Sequence, residues 1–170
     1  GFQVLIKTGL LPGWEGEDPQ FTLTDNLHGT FEDRWGWLMP SSERCVFTRG
    51  MTEPVYFPIA HAEGRFVARD ESALDRLVAN DQIAFRYALP DGSTGDEPLP
   101  FPANPNGSAR NIAGICDSSG RVMGLMPHPE RHLYATQHPR WERGDTGNEG
   151  HGGQVFRNAV AAAVEYAASA

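Results

Sequence analysis

The sequence predicts a single three-layer α/β domain. Apolar residues recur at helical spacing near both ends of the chain and in its middle, which is typical of amphipathic helices. Apolar runs with strand-like composition lie between these segments. The 170 residues contain no internal repeat and are enough to bury one sizeable core. Helices and strands that mix along one chain favour a layered α/β fold.

The first half of the chain predicts a helix, a loop and then strands. Phe2, Leu5, Ile6 and Leu10 recur at helical spacing, and Gly9 can end this first helix. A loop rich in Pro and Gly follows. Strands are predicted over RWGWLMP, RCVFTRGM and VYFPIAHAEGRFVA, the last of them interrupted by a glycine.

The second half predicts two further helices and a hairpin. ESALDRLVAND reads as a short amphipathic helix, and QIAFRYAL as the strand after it. A long loop rich in Pro, Gly, Asp and Asn leads to NIAGICDSSGRVMGLMP, which predicts two strands around a Ser-Ser-Gly turn. A polar loop then precedes an Ala-rich helix over residues 154–168.

The composition argues against two kinds of partner. The formal net charge is -8, whereas a general nucleic-acid binder needs clustered Lys and Arg. No apolar run approaches the ~20 residues of a membrane helix, so no membrane partner is expected. Only two cysteines occur, Cys45 and Cys116, which favours a reducing, cytoplasmic setting. No metal site is expected, because four histidines fit no standard zinc spacing: His128, His132, His138 and His151.

The segment GLMPHPER places two titratable side chains after the last predicted strand. A histidine with a nearby carboxylate, here His128 and Glu130, forms the base and the orienting group of a catalytic triad. In α/β folds, ligands bind beyond the carboxyl ends of parallel strands, which is the position this segment suggests. On spacing alone, a surface histidine beside a loop glutamate is the favoured interpretation, because a triad also needs a nucleophile.

Neither cysteine has the surroundings of a triad nucleophile. A nucleophile elbow needs small residues two before and two after the nucleophile, at a turn from strand to helix. Cys116 has Gly114 before it, but Ser118 only half meets the second condition and a strand follows. Cys45 has no glycine at either place. Both cysteines are therefore interpreted as core residues.

Four segments, in order along the chain, resemble one enzyme family. NPNGSARNIAGICDSSGRVMGLMPHPER is similar to the signature region of the glutamine amidotransferase subunit of phosphoribosylformylglycinamidine synthase, an enzyme of purine biosynthesis. GFQVLIKTGLLPG, DNLHGTFEDRWGWL and PIAHAEGRF resemble three further segments of that family. The resemblance implies a class I, triad-type glutamine amidotransferase with a flavodoxin-like fold.

The resemblance also implies where the nucleophile lies. In this family the reactive cysteine belongs to a Gly-Ile-Cys-Asn-Gly-Phe-Gln stretch, and Gly1, Phe2 and Gln3 match its last three residues. The cysteine is therefore expected two residues before Gly1. Residues 1–170 are accordingly expected to be the C-terminal part of a single glutamine amidotransferase domain, truncated at its N-terminus and inactive alone.

The resemblance implies roles for four residues. His128 is expected to act as base toward the thiol and as acid toward ammonia, while Glu130 holds its tautomer. Gln3 matches a glutamine near the bound glutamine substrate, with helix capping as the alternative. His61 matches a histidine near the cleft, in a supporting or a structural role. Ammonia is expected to pass to a synthetase subunit that carries ATP and Mg²⁺, so no cofactor is expected in this chain.

Other family matches are expected to be structural, and two other functions stay open. Arg34 and Trp35 are expected to pack, and Asn104, Asn106 and Gly107 to set a tight loop. One alternative function is a non-catalytic fragment that only docks on the synthetase. The other is a triad amidotransferase of another biosynthetic pathway, against which NPNGS and AHAEGRF argue.

Overall fold

The computed structural model describes residues 1–144 and 147–169. Its helices and strands are α1 Phe2–Lys7, β1 Phe21–Thr24, β2 Glu32–Pro40, β3 Val55–His61, β4 Arg65–Ala68, α2 Glu71–Ala79, β5 Ile83–Tyr87, β6 Ile112–Cys116, β7 Met123–Leu125 and α3 Gly152–Ser169. Short 3₁₀ turns lie at Val46–Thr48, Ala109–Asn111, Pro129–Arg131, Ala135–Gln137 and Trp141–Arg143.

The five-stranded sheet curls until its two outer strands converge. Its order is β3-β2-β5-β6-β7, while β1 and β4 form a separate pair. Just past β7, the amide of Met126 still donates to Ala113 of β6. Two residues later, the amide of His128 donates to the carbonyl of Pro58 on β3. The segment that follows β7 therefore runs along the outer edge of β3, and this places the candidate site between the two outer strands.

The strand directions correct one expectation. Every pairing among the described strands is antiparallel, including that of β7 with β6. His128 therefore does not follow a strand of a parallel ladder in this part of the chain, and the argument from parallel strands is wrong here. The position of the pair depends instead on the curl of the sheet.

Helices and the small sheet cover the two faces of the large sheet. Neighbouring residues of a strand point to opposite faces. In β6, Ile115 packs in a core with α1, α2 and the β1–β4 pair, whereas Cys116 packs in a core that includes Val155 of α3. This arrangement confirms the predicted three layers.

Most predicted elements are confirmed, including all three helices and the hairpin β6–β7. The strand predicted over RCVFTRGM is wrong, because Val46–Thr48 forms a 3₁₀ turn. The Thr48 hydroxyl lies 2.7 Å from the Ser42 carbonyl oxygen, and such local bonds replace a strand ladder. Leu10 lies beyond α1 and is 52% exposed, so it is not part of the helix face. The run VYFPIAHAEGRFVA divides into β3 and β4, which belong to different sheets.

The longest helix of the described residues is α3, with 18 residues. Within 1–144 and 147–169, no helix combines the length and the apolar character needed to cross a membrane.

Candidate active site

A histidine and a glutamate form a hydrogen-bonded pair just beyond β7. Nδ1 of His128 lies 2.7 Å from Oε1 of Glu130. One third of the His128 side chain and half of the Glu130 side chain are exposed. Because an ionised carboxylate can only accept, the neutral imidazole donates Nδ1–H and keeps a lone pair on Nε2. In this tautomer, which the carboxylate sets, Nε2 of the partly exposed ring is the basic nitrogen.

The local sequence explains this geometry. Pro129 opens the 3₁₀ turn Pro129–Arg131, where its missing N–H costs nothing, and the preceding His128 adopts the extended backbone typical of that position. The turn brings Glu130 back toward the imidazole. The N-terminus of α3 packs directly on the turn, since a Cβ on Gly152 would lie 1.9 Å from the Pro129 carbonyl oxygen. Glycine at position 152 is therefore needed for this contact.

The second histidine of interest, His61, ends β3 and is buried. Its Nδ1 lies 3.0 Å from Oδ1 of Asn26, and its Nε2 lies 3.4 Å from Nδ2 of Asn106. Oδ1 of Asn26 also accepts from the amide of Gly64, so it acts as an acceptor and His61 donates Nδ1–H. A Cβ on Gly64 would lie 2.2 Å from the imidazole, so only glycine leaves room for the ring.

The surroundings of His61 favour its neutral form. Burial is the largest effect and lowers its pKa below the ordinary value of 6.5. The carboxylate of Glu32 raises this pKa, and a charge on His128 lowers it. Glu32 is itself buried and paired with Arg34 at 2.5 Å. His61 is therefore a neutral, doubly hydrogen-bonded imidazole that responds electrostatically to His128.

Gln3 is engaged with β1 in this structure. Its Nε2 donates to Oγ1 of Thr22 at 2.9 Å, and its Oε1 accepts from the amide of Leu23 at 2.8 Å. No side chain caps the start of α1, so the helix-capping alternative is wrong. The role of Gln3 in substrate binding stays a prediction.

The two cysteines are core residues, as predicted. Cys45 and Cys116 are both 0% exposed, and Sγ of Cys45 lies 3.8 Å from Sδ of Met123. The hydrogen bond to Cys45, together with burial, raises the pKa of Cys116 far above its ordinary value. A thiol in this setting stays protonated and out of reach of a substrate.

The packing predicted for Arg34 and Trp35 and the tight loop predicted for residues 104–107 are confirmed. Asn106 has an additional contact that was not predicted. Arg34 pairs with Glu32 and stacks over the ring of Phe101, and Trp35 packs against Tyr56 and His132. Oδ1 of Asn104 accepts from the amide of Gly107, whose positive φ of 77° requires glycine. Asn106 shapes the same loop and also reaches His61.

Sequence reasoning missed three buried side chains at this site. Asn26 and Glu32 lie beside His61, and His132 directly follows the turn Pro129–Arg131. Asn26 and Glu32 both lie in the segment DNLHGTFEDRWGWL quoted above, but their role depends on the pairing of β2 with β3 and on a loop 35 residues away from His61, which no local pattern predicts. Within the described residues, no group of three or more His, Cys, Asp or Glu side chains is arranged to hold a metal ion.

Comparison with known proteins defines the class of this chain. The family model described as the CobB/CobQ-like glutamine amidotransferase domain matches residues 1–162, and the chain belongs to this family. The class I glutamine amidotransferase fold predicted from the sequence agrees with that assignment.

Particular relatives carry the more specific likeness. The chain is 43% identical over 161 residues to phosphoribosylformylglycinamidine synthase subunit PurQ of Dehalococcoides mccartyi, a match that covers 94% of this chain and 60% of the relative. It is 41% identical to the PurQ subunit of Archaeoglobus fulgidus, with 94% and 59% covered. The structure of PurLQS from Thermotoga maritima matches with a TM-score of 0.62 and 29% identity, over 94% of this chain and 57% of that chain. The chain thus spans about 60% of the length of the curated relatives it matches.

Proposed function

We propose that this chain supplies the histidine and the glutamate of a Cys-His-Glu triad in the glutaminase component of phosphoribosylformylglycinamidine synthase. The observation that carries the proposal is the 2.7 Å bond between Nδ1 of His128 and Oε1 of Glu130. Family membership and the two named PurQ relatives support the reaction class and the pathway. The substrate is glutamine, and the products are glutamate and ammonia.

In this mechanism His128 takes up and gives away a proton in each of two half-reactions. Its Nε2 takes the proton of a cysteine thiol, and the thiolate attacks the side-chain carboxamide carbon of glutamine. The imidazolium then gives that proton to the departing ammonia, which leaves a glutamyl thioester. Water then attacks the thioester carbon while His128 takes its proton, the C–S bond breaks to release glutamate, and the imidazolium returns the proton to the leaving thiolate. Glu130 keeps Nδ1 protonated throughout and stabilises the imidazolium.

The thiol in this proposal comes from outside residues 1–170. Cys45 and Cys116 are fully buried in the sheet core, and neither is bonded to His128. The relatives extend beyond the matched region, and the family's Gly-Ile-Cys-Asn-Gly-Phe-Gln stretch fits onto Gly1, Phe2 and Gln3. We therefore place the nucleophile two residues before Gly1, with residues 1–170 forming the C-terminal part of the domain.

The partner in this proposal is a synthetase subunit that uses the ammonia. The Thermotoga maritima structure that matches this chain is titled as a PurLQS structure, which supports an assembly with other subunits. ATP and Mg²⁺ belong to the synthetase. Two free buried cysteines fit a reducing compartment, and we propose the cytoplasm.

Reconstitution tests the proposal. The rebuilt enzyme is this chain fused to, or co-expressed with, an upstream segment that ends in Gly-Ile-Cys-Asn. Glutamate release is measured with the isolated chain, with the rebuilt enzyme and with added synthetase. We expect turnover only in the rebuilt enzyme, and a further increase with the synthetase. A rebuilt enzyme that folds and binds the synthetase but never releases glutamate would support the docking-only alternative instead.

A further inference from the structure

The outer edge of β3 is covered by the segment that carries His128 and Glu130, the catalytic pair of the proposed triad. β3 is one of the two outer strands of the sheet, so its outward N–H and C=O groups have no strand partner. The carbonyl of Pro58 accepts from the amide of His128 at 2.8 Å. The carbonyl of Tyr56, two residues earlier on the same side of the strand, accepts from Nδ1 of His132 at 2.7 Å.

These two bonds hold residues 128–132 at both ends. Glu130 lies midway between them, in the 3₁₀ turn. The backbone of His132 adds two bonds, since its amide donates to the Pro129 carbonyl and its carbonyl accepts from the amide of Gly152 on α3. The His132 ring thus fixes the far end of the turn to the sheet, while its backbone fixes it to α3.

The surroundings of the His132 imidazole hold it in the hydrogen bond to the Tyr56 carbonyl. It is 1% exposed and packs edge-on against Trp35 at 5.0 Å between ring centroids. Burial lowers its pKa, so the ring is neutral and its single proton is on Nδ1, where it meets the Tyr56 carbonyl. Its Nε2 is buried without a hydrogen-bond partner. Among the described residues, Nδ1–H is therefore the only group of this ring that makes a hydrogen bond.

We propose that His132 is a positioning residue for the catalytic pair: its Nδ1–H bond to Tyr56 anchors the 128–132 segment along β3 and so keeps Glu130 within hydrogen-bond distance of His128. The inference rests on the proposed function for its purpose, but its geometry can be tested without catalysis. Loss of the anchor lets the end of the turn move, and Glu130 then no longer enforces the Nδ1–H tautomer of His128.

The test measures the tautomer of His128 by ¹⁵N NMR in the chain as it is, with the His128 signals assigned from His128→Gln. His132→Leu removes the donor, and His132→Asn keeps a donor at the position of Nδ1 while it deletes the unpartnered Nε2. We expect His132→Leu to convert at least half of His128 to the Nε2–H tautomer, and His132→Asn to leave His128 as in the unchanged chain.

A matched control removes a different bond to the same strand residue. Nδ1 of His151 accepts from the amide of Tyr56 at 2.9 Å, but His151 lies outside the 128–132 segment. His151→Phe is therefore expected to leave the His128 tautomer unchanged. An equal effect of His151→Phe and His132→Leu would mean general loosening of the β3 edge and would overturn the specific role of His132.

Folding is checked by circular dichroism in each variant. If His132→Leu does not fold, His132→Asn decides alone, because the proposal requires a donor at Nδ1 to be sufficient. A shift of His128 to the Nε2–H tautomer in folded His132→Asn, or no shift in folded His132→Leu, would overturn the proposal.

In the rebuilt enzyme, His132→Leu is expected to lower kcat about 10-fold with KM little changed. Unchanged tautomers with an active rebuilt enzyme would reject His132 while leaving the proposed function intact.

Discussion

The two histidines near the site differ in almost every physical respect. His128 is partly exposed and bonded to a carboxylate two residues away on the same turn. His61 is buried and bonded to two asparagines, Asn26 and Asn106, that come from distant loops. The first arrangement leaves a nitrogen available for proton transfer, whereas the second occupies both ring nitrogens.

This difference separates chemistry from architecture. An exposed pair costs little to desolvate and can exchange protons, but it contributes little to stability. A buried polar network contributes to a unique fold only if every member is satisfied, and it cannot easily accept a proton. We therefore expect changes at the exposed pair to act on rate and changes around His61 to act mainly on stability.

The largest expected effect concerns the cysteine thiol that the proposed triad needs. The isolated chain has the His128–Glu130 pair but no accessible cysteine, so its glutaminase rate is expected to be about a million-fold below that of the rebuilt enzyme. Glutamate release from purified samples measures this ratio. Cys45→Ser and Cys116→Ser are the controls, and the rebuilt enzyme should keep working in both. Turnover by the isolated chain that disappears with Cys116→Ala would contradict the account.

The next largest effect is expected for Glu130, the carboxylate of the pair. Glu130→Gln in the rebuilt enzyme is expected to lower kcat by about 10²- to 10⁴-fold, because an amide no longer enforces the correct tautomer of His128. Saturation kinetics with glutamine measure it. Glu142→Gln, at an exposed glutamate of a neighbouring turn, is the matched control and should change kcat little. Equal losses in both variants would remove the special role of Glu130.

Around His61 the expected loss is one of stability. Nδ2 of Asn106 lies 2.8 Å from the buried carbonyl oxygen of Gly64 and 3.1 Å from the buried hydroxyl of Tyr87. Its two hydrogens are shared among these two groups and Nε2 of His61. Asn106→Ala leaves these groups and His61 without their partner, at a cost of about 2–4 kcal/mol of unfolding free energy. Urea unfolding measures it, with Asn148→Ala at an exposed position as the control. A folded Asn106→Ala with unchanged stability would show that the network is not structural.

The smallest expected effect is a pH dependence. Burial holds the pKa of His61 below its ordinary value of 6.5, and burial acts in the same direction on His132 and His151. Below pH 6.5 the unfolded chain therefore binds protons that the folded chain does not, so the free energy of unfolding decreases as the pH is lowered. Unfolding free energies at pH 7.0 and 5.5 measure the fall, and His61→Gln should reduce it. An identical decrease in His61→Gln would mean that the pKa of His61 does not differ between the folded and the unfolded chain.

The two sites also differ in how far the sequence could predict them. The His128–Glu130 pair is local, because Pro129 and a two-residue spacing are enough to predict it. The partners of His61 depend on strand register and on a long loop, so Asn106 was predicted only as a loop residue and Asn26 was not found. β1 was missed although Phe21 and Leu23 alternate between Pro19 and Asn26, a pattern typical of a short strand. The curl that joins β7 to β3 is a property of the whole sheet and has no local signal.

The proposed triad is tested most sharply by comparing His128→Ala with His61→Ala in the rebuilt enzyme at saturating glutamine, with folding checked by circular dichroism. We expect His128→Ala to abolish glutamate release, with a loss of about 10⁴-fold or more, because the thiol loses its base. We expect a loss of about 10-fold or less for His61→Ala, together with lower stability. An active His128→Ala beside a folded but silent His61→Ala would contradict the triad named here.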